Sequence, residues 1–565
     1  MKKRKINSKK MILFILSVCL VSLVIFVGIL KIFRGVDNIF INDKFKYVAS
    51  TSSIVPLYND DFNQVNTIIR GTKVTILKDN ITNNDKNYYK IKYGDDEYLI
   101  DKDDLTDDIN KVVKETAMYV RTPVTFYKSN DSIEIKGLIK KGEKVEILSY
   151  DKLLENGTVN MYQVKYNNEE GFVYGKYLVN TLEDALANYD AEGNYKIHAA
   201  RTNTLMGGSA ANLDYYPYEK PTFSNNVIPN EVRAIYMNAG VIGNVDKYIE
   251  LAKQSNLNAI VVDIKDNTAP GYPAEAMKKY SPTNYARALN SYDKYKEAIK
   301  KIKDAGLYVI GRITVFKDSY FVNDNPGAAI LDSSGNPYNH DGSFWPSAYQ
   351  RLVWEFNVAL AIESIQNMGF NEIQFDYVRF PDRTGNLEKD GTINLNNVYN
   401  EEKAQAIQEF VMYAADEIHK YDAYVSIDVF GESAHNYVTA YGQYWPAISN
   451  VADVISGMPY PDHFSKYEYG FTLPVWTTPY KVLNFWGSNY VDKRQQEIPT
   501  PAIVRTWIQA YNTSKSPATK YDSYMVSEEI KGLYDAGLKG GFMAWNGSSS
   551  IDKYTEVSSA LGGNY

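Results

Sequence analysis

The sequence predicts an α/β fold in which a C-terminal (β/α)8 barrel follows two small all-β domains and an N-terminal transmembrane helix. Three observations carry this prediction: an uncharged apolar run near the N-terminus, an internal repeat of strand-like patterns, and eight apolar runs that alternate with helical segments. With 565 residues the chain is too long for a single hydrophobic core. Its net charge of −7 provides no broad basic face, so nucleic acid is not an expected partner.

The apolar run occupies residues 11–30 and contains no charged residue. Twenty residues at about 1.5 Å each span the roughly 30 Å of bilayer hydrocarbon. The six basic residues before the run outnumber those that follow it, which favours a cytoplasmic tail at 1–10. We therefore expect a signal anchor at 11–33, a single-pass protein of the cell membrane, and extracellular C-terminal domains. A cleaved signal peptide is the alternative, but its apolar region would be shorter.

The cysteine and histidine residues of the sequence form no pattern typical of a metal or cofactor site. Cys19 is the only cysteine and lies within the apolar run, which excludes an intrachain disulfide and a cysteine metal site. The five histidines are scattered and form no H-E-x-x-H motif, so we expect no metal and no cofactor. A zinc-dependent deacetylase and, without a G-x-S-x-G motif, a serine hydrolase are therefore disfavoured.

Two stretches between the anchor and the barrel repeat each other. Residues 68–77 read IIRGTKVTIL, and residues 138–148 read LIKKGEKVEIL. The offset of about 70 residues indicates two whole domains rather than turns of a solenoid. Alternating apolar residues after a glycine are typical of short, half-buried strands.

The two repeats, 46–107 and 117–180, resemble bacterial SH3-like domains. This resemblance implies attachment to peptidoglycan in the cell wall or to a neighbouring molecule, and a passive stalk is the alternative. Residues 181–230 change to a helical and then Asn/Pro-rich composition, which predicts a linker into the main domain at 231–565.

The main domain alternates eight strand-like runs with amphipathic helical segments. The runs are 232–237, 257–263, 307–313, 371–376, 423–428, 453–458, 503–508 and 540–545. The clearest helical segments are 244–254, 292–304, 353–368, 402–420 and 526–537. Strands that are apolar throughout predict a parallel sheet covered on both faces. Eight such units in about 330 residues favour a closed barrel, whose active site lies at the carboxyl ends of the strands.

Residues 369–381, GFNEIQFDYVRFP, are similar to the signature of a family of exported bacterial proteins assigned as glycoside hydrolases, near the α-amylase-like barrels. Further matching motifs follow the strand order: VVDIKD at 261–266, Arg312 with FKD at 316–318, VSIDVFG at 425–431, MPYP at 458–461 and AWN at 544–546. The resemblance covers roughly 231–550 and implies a TIM barrel that hydrolyses glycosidic bonds. Gly457 departs from the pattern, where a proline is expected.

Glycosidic cleavage needs two carboxyl groups that flank the scissile bond. Asp376 ends the fourth predicted strand and Asp428 the fifth, so both are expected to reach the same opening. The resemblance implies Asp376 as nucleophile or stabilising carboxylate and Asp428 as general acid/base. Glu432 is the rival acid. A capping or ion-pairing role is the structural alternative for either aspartate.

Other residues near the strand ends are candidates for substrate binding. They are Asp263, Lys265, Asp266, Arg312, Trp345, Tyr377, Arg379, Glu432, Tyr460, His463, Trp507 and Trp545. The two arginines are expected to favour the ionised form of Asp376. The aromatic residues are candidate sugar platforms, with core packing as the alternative. The charged residues of the second strand either bind sugar hydroxyls or form a salt-bridge network.

The sequence therefore predicts a membrane-anchored extracellular glycoside hydrolase of carbohydrate metabolism. Its expected substrate is a cell-surface or environmental polysaccharide, with peptidoglycan included. The alternative is a non-catalytic protein that binds carbohydrate or organises the cell wall through the same cleft. The sugar, the linkage and the stereochemical outcome are open at this stage.

Overall fold

The computed structural model describes residues 44–203 and 206–565. The predicted cytoplasmic tail and the anchor at 11–33 lie outside these residues. Within the described ranges, no helix combines the length and the apolar character needed to cross a bilayer. The chain forms two compact units, of which one contains the first β-sheet and the other contains a barrel of parallel strands.

The first sheet has seven strands, and its pairings are antiparallel. The strands are Phe45–Val48, Ile54–Tyr58, Gln64–Ile69, Lys73–Asn83, Lys86–Tyr93, Asp96–Asp101 and Leu105–Thr106. Alternate residues such as Val55 and Leu57 are buried, and they form a small core with Val74 and Ile91. Period-two burial of this kind explains the alternating pattern of the sequence.

A second seven-stranded sheet repeats the strand order of the first. Its strands are Ala117–Val120, Val124–Tyr127, Ile135–Ile139, Lys144–Tyr150, Met161–Tyr166, Glu169–Tyr174 and Leu178–Val179. In both sheets the order is third, second, sixth, fifth, fourth, first and seventh. The sequence repeat thus corresponds to two sheets with the same strand order. That each repeat is a separate domain stays a prediction. Their likeness to SH3-like domains stays a prediction.

The stretch predicted as a linker, 181–230, contains two short helices, Leu182–Leu186 and Asn194–Ala199. Its Leu213 and Tyr215 are buried in one cluster with Ala404 and Tyr444 of the barrel domain. Burial of these apolar side chains makes this part of the stretch an element of the folded unit.

Eight parallel strands, labelled β1 to β8, form the barrel. They are β1 Val232–Met237, β2 Ala259–Asp266, β3 Tyr308–Thr314, β4 Glu372–Asp376, β5 Tyr424–Phe430, β6 Val454–Met458, β7 Ile503–Val504 with Thr506–Gln509, and β8 Gly541–Trp545. Each strand pairs in parallel with the next, and β8 pairs with β1, so the ring closes. The predicted barrel of parallel strands is confirmed, and each predicted run overlaps its strand.

A helix follows each strand. They are α1 Val245–Gln254, α2 Tyr292–Asp304, α3 Arg351–Met368, α4 Lys403–Ile418, α5 Trp445–Val451, α6 Pro479–Trp486, α7 Ser523–Asp535 and α8 Ile551–Glu556. The sequence pattern predicted α1 to α4 and α7, and it missed the short helices α5, α6 and α8. Further short helices are Glu275–Tyr280, Pro282–Ala286, Ser319–Asp324, Gly385–Lys389, Asp492–Gln495 and Ser558–Leu561.

The barrel interior is filled by alternate side chains of the strands. Val232, Ala234 and Tyr236 of β1 belong to one buried cluster with Val261 and Ile310. This is the packing expected when every second residue of a barrel strand points inward. The interior is therefore a packed core below the opening at the carboxyl ends of the strands.

A buried ion pair lies at the opposite, amino-terminal end of β4. Nη1 of Arg505 donates to Oε1 of Glu372 at 2.7 Å, and the Tyr308 hydroxyl donates to Oε2 at 3.1 Å. Both charged side chains are fully buried. A buried pair of this kind is costly to break, because the remaining charge has no compensation.

We expect Glu372→Gln to lower the free energy of unfolding by roughly 3–5 kcal/mol, because Arg505 would keep its charge in a dry interior. Urea unfolding of the purified protein measures this change. Asp246→Asn is the matched control, since Asp246 forms a solvent-exposed pair with Lys301 at 2.9 Å. Equal unfolding midpoints for both variants and the unaltered protein would contradict the prediction.

Candidate active site

The two predicted catalytic aspartates lie side by side at the carboxyl ends of β4 and β5. These strands are paired up to Phe375 and Ile427, and the next residue of each is Asp376 or Asp428. Their exposed fractions are 6% and 1%. The structure thus brings both carboxyl groups to one buried position at the barrel opening. Their catalytic roles stay a prediction.

Asp376 accepts hydrogen bonds from the positively charged guanidinium of Arg312 and from the backbone of Tyr377. Nε and Nη2 of Arg312 donate to its Oδ2 at 3.1 and 2.6 Å. The backbone N–H of Tyr377 donates to its Oδ1 at 2.6 Å. Tyr377 has a φ of 52°, an unusual backbone conformation for a bulky residue that often marks a functional site. Asp376 thus accepts charge-assisted hydrogen bonds from the guanidinium of Arg312.

Asp428 has a different environment. Nε1 of Trp507 donates to its Oδ1 at 2.8 Å. Its Oδ2 has no hydrogen-bond partner in the part of the chain that the structure describes. Burial, with the neighbouring charge of Asp376, raises the pKa of Asp428 well above its usual range. Two carboxyl groups with such different environments are suited to the roles of anion and acid.

Arg312 also binds a second carboxylate, on β2. Its Nη1 donates to Oδ1 of Asp263 at 2.8 Å and lies 3.7 Å from Oδ1 of Asp266. The Tyr236 hydroxyl donates to the other oxygen of Asp263. Burial and the charge of Asp266 raise the pKa of Asp263 to about 6. Arg312 therefore links the second, third and fourth strands at the opening, and the predicted salt-bridge network exists for Asp263 and Asp266.

Lys265, in contrast, is turned away from this network. The pairing of β2 with β3 shifts between Asp263 and Lys265. Nζ of Lys265 donates to Asp318 at 2.7 Å, and both side chains are buried. Asn284 donates to the same carboxylate at 3.0 Å. Lys265 thus belongs to a separate buried ion pair.

Arg379 was expected beside Asp376, but its guanidinium lies among aromatic rings. It is 4.3 Å from the ring centroid of Phe430 and 5.1 Å from those of Trp345 and Tyr377. Its Nη1 donates to the Phe380 carbonyl at 3.0 Å. Stacking of this kind makes Arg379 a packing centre for the loops after β4 and β5.

The five candidate sugar platforms differ in how much ring surface they expose. Trp345, Tyr460 and Trp507 are buried, so protein atoms cover their faces. Tyr377 and Trp545 are half-buried. Trp545 stacks on Tyr236 with centroids 4.3 Å apart, and the guanidinium of Arg312 lies 5.3 Å from its ring. Trp545 is thus a partly exposed candidate platform that lies beside Arg312 of the carboxylate network.

A cleft of about 650 Å³ opens beside the ends of β5 and β6. Its lining includes Phe430, Glu432, Tyr437, Met458, His463 and Phe464. Glu432 accepts hydrogen bonds from the hydroxyls of Tyr437 and Tyr441, each at 2.9 Å. The His463 ring lies 5.0 Å from that of Tyr460. Glu432 and His463 are therefore cleft residues, and Glu432 remains the rival acid.

Sequence reasoning missed Tyr236 and the position of its hydroxyl against Asp263. The sequence pattern could have indicated the position of Tyr236. This residue follows Val232 and Ala234 at alternate positions of β1 and is the last inward-facing residue of that strand. The hydrogen bond of Trp507 to Asp428 had no signal in the sequence. No cluster of three or more His, Cys, Asp or Glu suited to a metal ion occurs within 44–203 and 206–565.

A comparison with known proteins shows the family of the chain. Residues 234–551 match a family model described as "Putative glycosyl hydrolase domain". The chain belongs to this family, and it is an enzyme of the glycoside hydrolase class. No curated protein is significantly similar to it.

Several solved structures are similar to parts of the chain. A hypothetical protein from Ruminiclostridium thermocellum is 28% identical, with 34% of this chain and 97% of that one covered and a TM-score of 0.29. The glycoside hydrolase domain of PgaB (BpsB) from Bordetella bronchiseptica is 13% identical, with coverages of 59% and 98% and a TM-score of 0.43. A maltogenic α-amylase from Thermotoga neapolitana is 10% identical, with coverages of 56% and 68% and a TM-score of 0.36.

We expect Arg312→Lys to lower kcat/KM by about 100-fold, because a lysine ammonium lacks the planar fork that binds two carboxylates at once. Release of reducing ends from a cleaved glycan measures this loss. Arg383→Lys is the matched control, since Arg383 is exposed and pairs with Asp341 and Asp382. Unchanged kcat/KM in Arg312→Lys would show that Arg312 is dispensable.

Proposed function

We propose that the chain hydrolyses glycosidic bonds with Asp376 as nucleophile or stabilising carboxylate and Asp428 as general acid/base. The observation that carries this proposal is the contrast between neighbouring carboxyl groups. Arg312 binds Asp376 through two N–H groups, whereas Asp428 is buried, with one oxygen unpartnered among the described residues. The anionic and acidic functions that glycoside hydrolysis requires are thereby separated.

In the proposed reaction, protonated Asp428 gives its proton to the glycosidic oxygen while the bond from that oxygen to the anomeric carbon breaks. The bonding electron pair stays on the leaving oxygen. Asp376 stabilises or attacks the electron-deficient anomeric carbon. Water then adds its oxygen to this carbon, any bond to Asp376 breaks with its electron pair returning to the carboxylate, and the proton that water loses returns to Asp428. The stereochemistry of the product distinguishes attack by Asp376 from direct attack by water.

The cleft beside β5 and β6 is the proposed binding site for the sugars on the leaving-group side, since it adjoins the strand that bears Asp428. Its volume of about 650 Å³ lies within the usual range for ligand sites. Aromatic side chains such as Tyr437 and Phe464 suit the apolar faces of pyranose rings, and Glu432 suits their hydroxyls. A polysaccharide, either of the cell surface or of the environment, is the proposed substrate, with peptidoglycan as one candidate.

The proposed place of action is outside the cell. The uncharged run at 11–30 and the basic residues before it support an anchor at 11–33 with extracellular C-terminal domains. In the sequence, the two repeated β-sheets come after the proposed anchor and before the barrel. In that position they suit the proposed attachment to the cell wall.

We expect Asp376→Asn to abolish turnover, because a neutral amide cannot stabilise the developing positive charge. Asp428→Asn should abolish cleavage of sugar–sugar bonds but retain activity on aryl glycosides with good leaving groups, which need little protonation. Kinetic measurements on both substrate classes test this difference.

The exposed Asp341→Asn serves as the control for the loss of a carboxylate. Full turnover by Asp376→Asn would contradict the assigned roles. If the protein retards a polysaccharide in an affinity gel but releases no reducing ends from it, the non-catalytic binding function would replace the proposed one.

Cys19 is the only native cysteine, which makes the membrane orientation directly testable. Tyr524 is exposed on α7, and Tyr524→Cys places one reactive thiol on the barrel domain. We expect a membrane-impermeant maleimide to label this variant in intact cells. Labelling only after lysis would contradict the extracellular location, and the unaltered protein controls for reaction at Cys19.

A further inference from the structure

Trp507 of β7, which is separated from β5 by β6 alone, donates a hydrogen bond to Asp428. The distance from Nε1 to Oδ1 is 2.8 Å, and both side chains are about 1% exposed. This indole N–H can only donate, so it binds an oxygen that carries no proton. The carbonyl oxygen of a carboxylic acid is the better acceptor, so the contact with Oδ1 favours a proton on Oδ2.

We infer that Trp507 is a positioning residue that directs the acidic proton of Asp428 to Oδ2, the carboxyl oxygen that is buried without a hydrogen-bond partner among the described residues. This inference rests on the proposed function of Asp428 as the acid. It assigns to Trp507 a role other than that of a sugar platform. Oδ2 is free to act as a donor, since it has no hydrogen-bond partner within 44–203 and 206–565.

The indole ring is held by its neighbours. Tyr236 and Trp545 pack edge-on against it, with centroids 6.3 and 5.5 Å away. Tyr236 is itself fixed by its hydrogen bond to Asp263. A donor fixed in this way needs no reorganisation when charge develops on its acceptor.

The same hydrogen bond supports the acid after it has reacted. When the proton leaves Oδ2 for the glycosidic oxygen, the carboxyl group becomes a carboxylate, and its negative charge spreads over Oδ1 and Oδ2. The N–H of Trp507 then donates to a charged acceptor, and such hydrogen bonds are stronger than neutral ones. Trp507 therefore stabilises the conjugate base of the acid.

Four other ionisable groups act electrostatically on Asp428. Asp376 and Glu372 of β4 favour the protonated form, and Arg312 of β3 favours the ionised form. The phenol of Tyr460, which follows β6, is also close enough to sense the charge of Asp428. Trp507→Phe leaves all four groups in place. A change in the titration of Asp428 in this variant would therefore report the lost N–H.

Trp507→Phe tests the inference, together with a variant that carries 3-benzothienylalanine at position 507. The second variant keeps the shape of the indole and lacks its N–H, so it remains informative if the smaller phenyl ring disturbs folding. Selective ¹³C labelling of aspartate, with Asp428→Asn to assign the signal, gives the titration midpoint of Asp428 without any need for turnover. Because the N–H stabilises the carboxylate, we expect the midpoint to rise in both variants.

The enzymatic readout is the basic limb of the profile of kcat/KM against pH, where the acid loses its proton. We expect this limb to move to higher pH in both variants, and kcat to fall roughly 10- to 100-fold. Trp445→Phe is the matched control, because Trp445 is also buried and donates to Gln495 at 2.9 Å. This control should leave the basic limb unchanged.

An unchanged or lowered titration midpoint of Asp428 in the benzothienyl variant would overturn the inference. Failure of the proposed function is distinguishable from this result. In that case the unaltered protein would cleave no glycan, while the titration of Asp428 would still respond to the loss of the N–H.

Discussion

The central constraint of this structure is that two carboxyl groups share one buried position at the barrel opening. Asp376 ends β4, and Asp428 lies two residues before the end of the adjacent β5. Two negative charges so close together in a dry site repel each other. The guanidinium of Arg312 acts unequally on the two groups, because it donates hydrogen bonds to Asp376 and acts on Asp428 through its charge. The asymmetry between anion and acid follows from the placement of this one cation.

A stabilising ion pair and the candidate active site lie at opposite ends of β4. Glu372, Gln374 and Asp376 occupy alternate positions of β4 and are all buried. Glu372 forms an ion pair with Arg505 at the amino-terminal end, whereas Asp376 faces Arg312 at the carboxyl end. The core of the barrel thus contains two buried ion pairs along β4. One lies two residues before Gln374, and the other lies two residues after it. Such division is typical of parallel barrels, whose chemistry lies at the carboxyl ends.

Sequence patterns predicted the parts of the site that follow from the periodicity of the strands. Apolar runs located β1 to β8, and residues that end neighbouring strands had to be neighbours, which brought Asp376 and Asp428 together. Lys265 could not be placed in this way. Strict alternation puts it on the same face as Asp263, but the register shift between them turns it toward Asp318.

The remaining discrepancies depend on tertiary contacts that no local pattern encodes. Arg379 follows Asp376 by three residues, yet its guanidinium stacks on Phe430, which belongs to the next strand. Trp507 was a candidate sugar platform because it lies near a strand end, but the closed ring places its N–H against Asp428. The direction of a side chain across the barrel depends on the whole closed sheet, so sequence spacing alone could not reveal it.

The most direct test of this account is neutron diffraction from a deuterated crystal at neutral pH, which locates the hydrogen isotopes on both carboxyl groups. The account predicts a deuterium on Oδ2 of Asp428, one on Nε1 of Trp507 that points to Oδ1, and none on Asp376. A bare Asp428, or a deuterium on Asp376 instead, would contradict the division into acid and anion.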